Sequence, residues 1–388
     1  MPKFDDLSRS LVALEENSTL IAVIELSSSS WLVGGIVPGL SREPLKKISP
    51  DASELWRVLL RWREEAAAAC REIRRICVAY EAGRDGFWLA RWLRSRGIEC
   101  HVIHATSVAV SREHRRAKTD RLDVGLLKRS YLGWLRGEAK HCRMVAVPTR
   151  AEEDGKRALR ERESLVGEAT RLVNRMKSLL VLHGVHTVNL RLKRAAERLA
   201  QITTAEGEAL PPQTLGELRR GLERLAMIKR QIAAIEAAQR ARLAAAPAAG
   251  PHPMILALAK LVGVGVMTAE LLVREALSRH LRDRRAVARY AGLTGAPDES
   301  GKRRREKGLA RAGSARVRRA MLQLAWRFLR HQPDCALVAW FRARTADGRR
   351  DTRLAMIVAL ARKLLVALWE LATTGKLPEG VRLHPAAA

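Results

Sequence analysis

The sequence is poor in aromatic residues. Phe, Trp and Tyr make up only 4% of its 388 residues, although hydrophobic residues as a whole reach 47%. A chain dominated in this way by Ala, Leu, Val and Arg is typical of a mostly helical protein with a sizeable core. The shortage of aromatic rings also argues against base stacking as the main means of holding a nucleic acid.

Cysteines and long apolar runs are also scarce. The five cysteines, Cys70, Cys77, Cys100, Cys142 and Cys335, form no CxxC pair and no metal-binding spacing with histidine. We therefore expect no disulfide framework and a reducing, cytoplasmic location. No apolar run reaches the roughly 18 residues of a membrane helix. The charged N-terminus lacks the apolar stretch of a signal peptide.

Acidic residues are outnumbered by basic ones. Asp and Glu number 41 against 71 Lys and Arg, which gives a formal net charge of +30. An excess of this size is typical of a protein with a polyanionic partner, and nucleic acid is the first candidate. The arginine bias of a GC-rich genome is an alternative source of basic residues, but it does not explain the net excess.

The N-terminal part alternates short apolar strands with amphipathic helices. After an extension over residues 1–17, strands are predicted at 19–26, 31–37, 76–82 and 98–104, and helices at 51–74, 85–97 and about 119–135. Thr119 is a suitable N-cap for the last of these helices. This order predicts a mixed α/β domain over residues 18–145.

The rest of the chain is predicted to be helical. Residues 150–245 are charged and rich in Leu and Ala on both sides of a Gly/Pro break, which predicts an antiparallel helical hairpin that could form a coiled coil. Residues 254–345 are predicted to form a mostly helical domain, with a helix-hairpin-helix-like element around "GVGV" and a basic loop, "APDESGKRRREKG". A helix and a tail follow over 346–388. The predicted fold class is α/β plus all-α.

Four acidic residues are placed where a shared site could form. Glu25 and Glu81 end two predicted strands, and Asp120 and Asp123 begin a predicted helix at a spacing that puts them on one face. Four carboxylates at one end of a sheet repel each other unless a divalent cation binds, and oxygen donors suit Mg²⁺ or Mn²⁺. Taken singly, each acid is better explained as a solvent-facing or helix-capping charge. Taken together in this basic chain, the metal site is favoured.

Three basic clusters are candidates for contact with a phosphate backbone, which gives salt-dependent affinity without sequence choice. A solvated surface is the alternative explanation for any single residue in them. The first cluster precedes the aspartate pair and consists of Arg115, Arg116 and Lys118. The second lies in the basic loop and consists of Lys302, Arg303, Arg304 and Arg305. The third begins a later helix and consists of Arg316, Arg318 and Arg319.

Two sets of motifs resemble one known family. The segments "IAVIELSSSSWLV", "VAYEAGRDGFWLARWL" and "KTDRLDVGLL" resemble the motif regions of DEDD transposase domains with a RuvC-like (RNase H-like) fold. A later block, from "LVGVGVMTAELL" to "GLARAGSARVRRAMLQLA", resembles the C-terminal domain of the same proteins. These are the insertion-sequence transposases of the IS110 family, also called bridge recombinases. The resemblance covers about residues 18–345.

The resemblance implies roles for individual residues. Glu25, Glu81, Asp120 and Asp123 would be the metal-binding catalytic acids, and Ser300 the catalytic serine. Glu25 replaces the aspartate usual in the family, and its extra methylene moves the carboxylate by about 1.5 Å, roughly one carbon–carbon bond. Two outcomes are compatible with this change: Glu25 still binds the metal through a shifted side chain, or this copy of the transposase is inactive.

Without the resemblance, Ser300 would be interpreted as an ordinary turn serine before a solvated basic run. Ser314 is the nearest competing serine, and helix capping explains it better. No histidine-centred triad is evident near Ser300, so activation of its hydroxyl would depend on a metal or on neighbouring carboxylates.

The resemblance also implies partners. It implies a recombinase that cuts and rejoins donor and target DNA through a phosphoserine link, with Mg²⁺ or Mn²⁺ and a structured noncoding guide RNA. A homodimer or homotetramer is expected, because joining two duplexes needs at least two active sites. Two alternatives stay open: a RuvC-like metal-dependent nuclease in which Ser300 is idle, and a degenerate, non-catalytic nucleic-acid-binding copy.

Overall fold

A six-stranded mixed sheet organises Met1–Glu153, the first of two units into which the chain divides in this computed structural model; the second unit is Asp154–Ala388. The structure describes residues 7–83, 86–108, 119–138, 141–190, 192, 194–279, 281–300, 303–310 and 312–385. Within these residues, no helix combines the length and the apolar character needed to cross a membrane.

The sheet has the spatial order β3-β2-β1-β4-β5-β6. Its strands are β1 (Thr19–Leu26), β2 (Trp31–Ile36), β3 (Leu45–Ile48), β4 (Arg75–Glu81), β5 (Glu99–Ile103) and β6 (Met144–Val145). The β1–β4 and β4–β5 pairs are parallel and the other neighbours are antiparallel. The helices of this unit are α1 (Ala52–Ala68), α2 (Trp88–Arg94), α3 (Asp120–Leu135) and α4 (Arg150–Asp154), which reaches the unit boundary.

The two faces of the sheet are covered by different helices, because successive side chains of a strand point to opposite sides. Leu20 and Ile24 of β1 pack with residues of α1 and α2. Ile21 and Val23, on the other face, pack with residues of α3. The sheet is therefore buried on both sides, and the mixed α/β fold predicted for this part of the chain is confirmed.

The second unit is mostly helical. Its elements are α5 (Arg157–Val181), α6 (Ala195–Leu199), α7 (Pro212–Ala245), α8 (His252–Ala259), α9 (Val266–Leu272) with a π-helical turn (Val273–Leu277), α10 (Arg284–Tyr290), β7 (Gly295–Ser300), β8 (Arg303–Leu309), α11 (Ala315–His331), α12 (Ala336–Arg344) and α13 (Arg350–Thr374). Helices α5 and α7 share one core, which includes Met176 and Leu225. A separate core, which includes Leu258, Phe328 and Leu364, joins α8, α11 and α13.

The segment predicted as a basic loop is a β-hairpin instead. Strands β7 and β8 pair antiparallel. At the base of the hairpin, the Ala310 amide donates to the Thr294 carbonyl at 3.0 Å and the Ser314 amide donates to the Tyr290 carbonyl at 2.6 Å. Gly313 has a φ of +94°, and a Cβ there would lie 2.3 Å from the Tyr290 carbonyl oxygen. Pairing at the base thus holds a segment whose composition does not favour strands.

Candidate active site

Glu25 and Glu81 lie at the carboxyl ends of two neighbouring parallel strands. The register of β1 and β4 pairs Ile24 with Tyr80, the residues directly before them. Glu25 and Glu81 therefore occupy matching positions, each one residue further along its strand. The sequence predicted that both strands would end in these acids, and the register now makes them neighbours.

Both acids belong to the face of the sheet that α3 covers. Glu25 follows Val23 at a spacing of two and Glu81 follows Ala79 in the same way, and both apolar residues pack in the core beneath α3. The Glu25 side chain is half-buried and that of Glu81 is exposed. The two carboxylates thus share an edge and a face of the sheet.

Helix α3 runs antiparallel to β1, so its first turn points to the same edge. Val124 packs on Gly34, where a Cβ would lie 2.4 Å from the Val124 Cγ1, and Gly34 is paired with Val23 of β1. At the other end of α3, the Nε of Arg136 donates to Glu16 at 2.8 Å, and Glu16 precedes the start of β1. The amino end of α3 therefore lies toward the carboxyl end of β1.

Asp120 and Asp123 occupy this first turn of α3. The predicted cap is confirmed, since the Thr119 hydroxyl accepts from the Leu122 amide at 3.4 Å. Asp120 is exposed and Asp123 half-buried. All four predicted acids thus belong to one edge and one face, and an all-carboxylate set is the donor chemistry that Mg²⁺ prefers. In the described residues, however, no three His, Cys, Asp or Glu side chains are close enough to hold one ion.

A partly buried polar network beneath the sheet attaches α3 to β5. The Tyr131 hydroxyl of α3 lies 2.8 Å from Nδ1 of His101 in β5. The His101 Nε2 lies 3.4 Å from Glu99, and Glu99 accepts two hydrogen bonds of 2.7 Å from Arg75. The network fixes the side of α3 that faces the sheet, and with it the direction of the turn that carries Asp120 and Asp123.

Burial and nearby charges together determine the protonation of this network. Burial lowers the pKa of His101 to about 4, against the opposing charge of Glu99, so the ring is neutral at pH 7. A neutral ring donates from one nitrogen and accepts at the other, which fits Nε2–H facing Glu99 and Nδ1 accepting from Tyr131. Burial also opposes ionisation of Glu99, but the hydrogen bond from Arg75 and the nearby positive charges outweigh it and lower the pKa of Glu99.

Sequence reasoning missed this network, because the segment "IECHVIH" was interpreted only as a strand. The available signal was the alternation of Glu99 and His101, which puts two polar side chains on one face of an otherwise apolar strand.

Ser300 is the last residue of β7 and pairs with Arg303, the first residue of β8. Arg304 and Arg305 follow on β8 in register with Glu299 and Asp298. Ser300 belongs to the second unit and the four acids to the first. Of the other predicted nucleic-acid contacts, Arg115, Arg116, Lys118 and Lys302 lie outside the described residues.

Two arginines at the start of α11 contact acidic residues of the same unit. The Arg316 Nε and the Arg319 Nη2 each donate to the Glu163 carboxylate of α5 at 2.5 Å, and Arg316 also reaches Glu275 at 3.4 Å. These residues were candidates for phosphate contacts, but here they join α11 to α5. The prediction for Ser314 is confirmed: it caps α11 by accepting from the Val317 amide at 3.3 Å.

Comparison with known proteins identifies the family. The family model described as transposase IS116/IS110/IS902 family matches residues 256–338, which include the β7–β8 hairpin. The chain is also similar to the protein named "Putative transposase y4rJ" of Sinorhizobium fredii (strain NBRC 101917 / NGR234), with 40% identity over 368 residues and 92% of each chain covered. Since this similarity extends over nearly the whole chain, the protein belongs to the IS116/IS110/IS902 family of transposases.

Proposed function

We propose that the protein is a DNA recombinase that mobilises an insertion sequence by cutting and rejoining strands through a phosphoserine link. The observation that carries this proposal is the matching position of Glu25 and Glu81, with the first turn of α3 at the same edge and face of the sheet. Family membership supports DNA as the substrate. The antiparallel β1–β2 pair followed by the parallel strands β4 and β5 supports a RuvC-like fold.

In this proposal, Glu25, Glu81, Asp120 and Asp123 hold Mg²⁺ or Mn²⁺. A bound divalent cation would supply neutralisation of phosphate charge and polarisation of phosphate oxygens. The donor set supports the assignment because it consists only of carboxylates, which suit hard cations. Glu25, one methylene longer than the family's aspartate, would have to reach the ion with a different side-chain conformation.

Ser300 is the proposed nucleophile. Its Oγ attacks the phosphorus, the bond from phosphorus to a deoxyribose oxygen breaks, and the proton of the serine passes to the released strand end. Attack by the hydroxyl of the incoming strand reverses these bonds and restores the serine, so no free end persists. Basic residues next to Ser300 in β8, Arg303, Arg304 and Arg305, with Lys302, would bind the phosphate. Arg115, Arg116 and Lys118 would contact the backbone further away.

The proposal includes a structured noncoding RNA that selects donor and target DNA, and assembly as a homodimer or homotetramer. Family membership supports the RNA, the need for two active sites supports the oligomer, and the scarcity of aromatic residues is compatible with recognition of backbone and shape.

The test is a strand-cleavage and joining assay with Mg²⁺, labelled element ends and the transcribed noncoding flank. The Ser300→Ala variant should lose both the covalent protein–DNA complex, seen on a denaturing gel, and the joined product. Ser278→Ala, at an exposed position of the same unit, is the control. The double variant Asp120→Asn/Asp123→Asn should lose cleavage altogether.

Two results would contradict the proposal. Undiminished cutting by Ser300→Ala would identify a metal-dependent nuclease that uses water in place of the serine. Absence of cleavage by the unmodified protein, with DNA binding intact, would identify a non-catalytic binding protein.

A further inference from the structure

Helices α5 and α7 approach closely toward the carboxyl end of α5. Gly221 of α7 makes this approach possible, since a Cβ at this position would lie 2.6 Å from the Met176 Sδ. A surface groove follows the contact line. We call it the arginine groove: its floor is apolar, and its rim carries three arginines, Arg175, Arg220 and Arg224.

The rim has more positive charge than its acids neutralise. Glu217, also on the rim, accepts from Arg175 at 2.6 Å. Arg220 and Arg224 are exposed, and no acidic side chain in the described part of the chain pairs with either. They are four residues apart on α7, so they lie on one face of the helix about 6 Å apart along its axis.

At the other end of the same helices, arginines are neutralised by the protein itself. Arg162 of α5 pairs with Glu236 of α7 at 2.7 Å, and Arg242 of α7 pairs with the fully buried Glu270 at 2.5 Å. Arg162 and Arg242 are therefore explained by ion pairs within the protein, which join neighbouring helices. No such explanation applies to Arg220 and Arg224, because their guanidinium groups face solvent.

Duplex DNA is the occupant that the charge of this groove favours. The segments 168–181 and 215–228 together contain six Lys and Arg but only three acids and no aromatic residue. Guanidinium groups bind phosphate oxygens in bidentate fashion. The lack of aromatic rings removes the stacking surfaces on which single strands depend. The same groove of a second copy would be equally positive, so it would repel this one.

We propose that the arginine groove binds the phosphodiester backbone of duplex DNA through Arg220 and Arg224. This inference rests on the proposed recombinase function, because it assigns a second contact with the same substrate. The groove would hold a duplex outside the site where strands are cut. It gives affinity and orientation without reading sequence.

The test compares two double variants of the full-length protein. Arg220→Gln/Arg224→Gln removes the unpaired rim charges. Arg230→Gln/Arg240→Gln removes the same charge from exposed positions of α7 outside the groove. Binding to a 40-base-pair duplex is measured by fluorescence anisotropy between about 50 and 200 mM salt, the range in which counterion release dominates.

We expect the groove variant to bind roughly tenfold or more weakly, and the slope of log affinity against log salt to decrease by about two. The control variant should keep the affinity and slope of the unmodified protein. Equal losses of DNA affinity in both variants would mean that only net charge matters, and this result would overturn the proposal. A groove variant with the DNA affinity of the unmodified protein would overturn it as well.

Two further measurements separate other occupants. Loss of affinity for a hairpin RNA with unchanged affinity for the DNA duplex would assign the groove to RNA. A change in oligomer mass of the groove variant would assign it to a subunit interface. Failure of the recombinase proposal is distinguishable, because it would appear in the cleavage of the unmodified protein and not in the difference between these variants.

Discussion

The Tyr131 hydroxyl of α3 and Nδ1 of His101 in β5 are 2.8 Å apart, inside the core between helix and sheet. This contact fixes the rotation of the helix whose first turn carries Asp120 and Asp123. A fully buried side chain thus helps to determine where two of the four proposed metal ligands lie.

Replacing Tyr131 by Phe should weaken this attachment. We expect the free energy of unfolding to fall by about 1–3 kcal/mol, because the buried Nδ1 of His101 loses its donor. We also expect half-maximal cleavage to need more Mg²⁺, since the aspartate pair is held less firmly. Denaturant unfolding and a Mg²⁺ titration of cleavage measure the two effects. Tyr290→Phe, which keeps the ring stacked under Arg279, should change neither.

The stability of the protein should depend on His101 between pH 6.5 and pH 4. Burial lowers the folded-state pKa of His101 to about 4, below its ordinary value of 6.5, so the unfolded chain binds the proton more tightly. The neutral ring therefore makes its full contribution to the free energy of unfolding above pH 6.5. This contribution is lost as the pH falls toward 4, and the total loss is about 3 kcal/mol. Calorimetric melting of the unmodified protein and of His101→Gln should show the steeper acid loss in the former. If stability fell equally with pH in both proteins, His101 would not be the group responsible.

Position 25 allows a test of the carboxylate edge. Glu25→Gln should abolish cleavage, because the amide keeps the size of the side chain but removes its charge. Glu25→Asp, which restores the residue usual in the family, should retain or increase cleavage. The measurement is the initial rate of strand cutting at several Mg²⁺ concentrations. Full activity of Glu25→Gln would remove this residue from the site.

The base of the β7–β8 hairpin should tolerate no side chain at Gly313. An Ala there combines left-handed backbone, which costs about 1–2 kcal/mol, with a Cβ only 2.3 Å from a backbone carbonyl. Gly348→Ala is a matched control, since its φ is +66° and nothing lies within 4 Å of the added Cβ. Chemical denaturation should show a clearly larger loss for Gly313→Ala, and equal losses would mean that the base of the hairpin can relax.

The sequence predicted the central strands well because burial on both faces leaves long apolar runs such as "TLIAVIEL". The edge strand β3 was missed, since it has four residues and carries Lys46 and Lys47, which are typical of an exposed edge. The β7–β8 hairpin was missed because its residues favour loops. Contacts at its base, which involve Gly313 and Tyr290, are not visible in local propensity.

For the candidate site, sequence patterns located the four acids, and the parallel register then aligned Glu25 with Glu81. The ion pairs of Arg316 and Arg319 could not have been predicted from local sequence. Their partner, Glu163, lies more than 150 residues earlier in the chain, and only tertiary packing brings it to α11.

The pairing of Ser300 with Arg303 also has a consequence for how this family can change. Side chains on a strand alternate between two sides, so losing or gaining one residue within β7 would turn Ser300 to the opposite side of the ribbon. A change by two residues would keep Ser300 on the same side of the ribbon and would change only the length of the hairpin. We therefore expect length variation among active relatives to occur in even steps along this ribbon, or as single residues that a bulge accommodates, as at the register shift between Gly295 and Pro297.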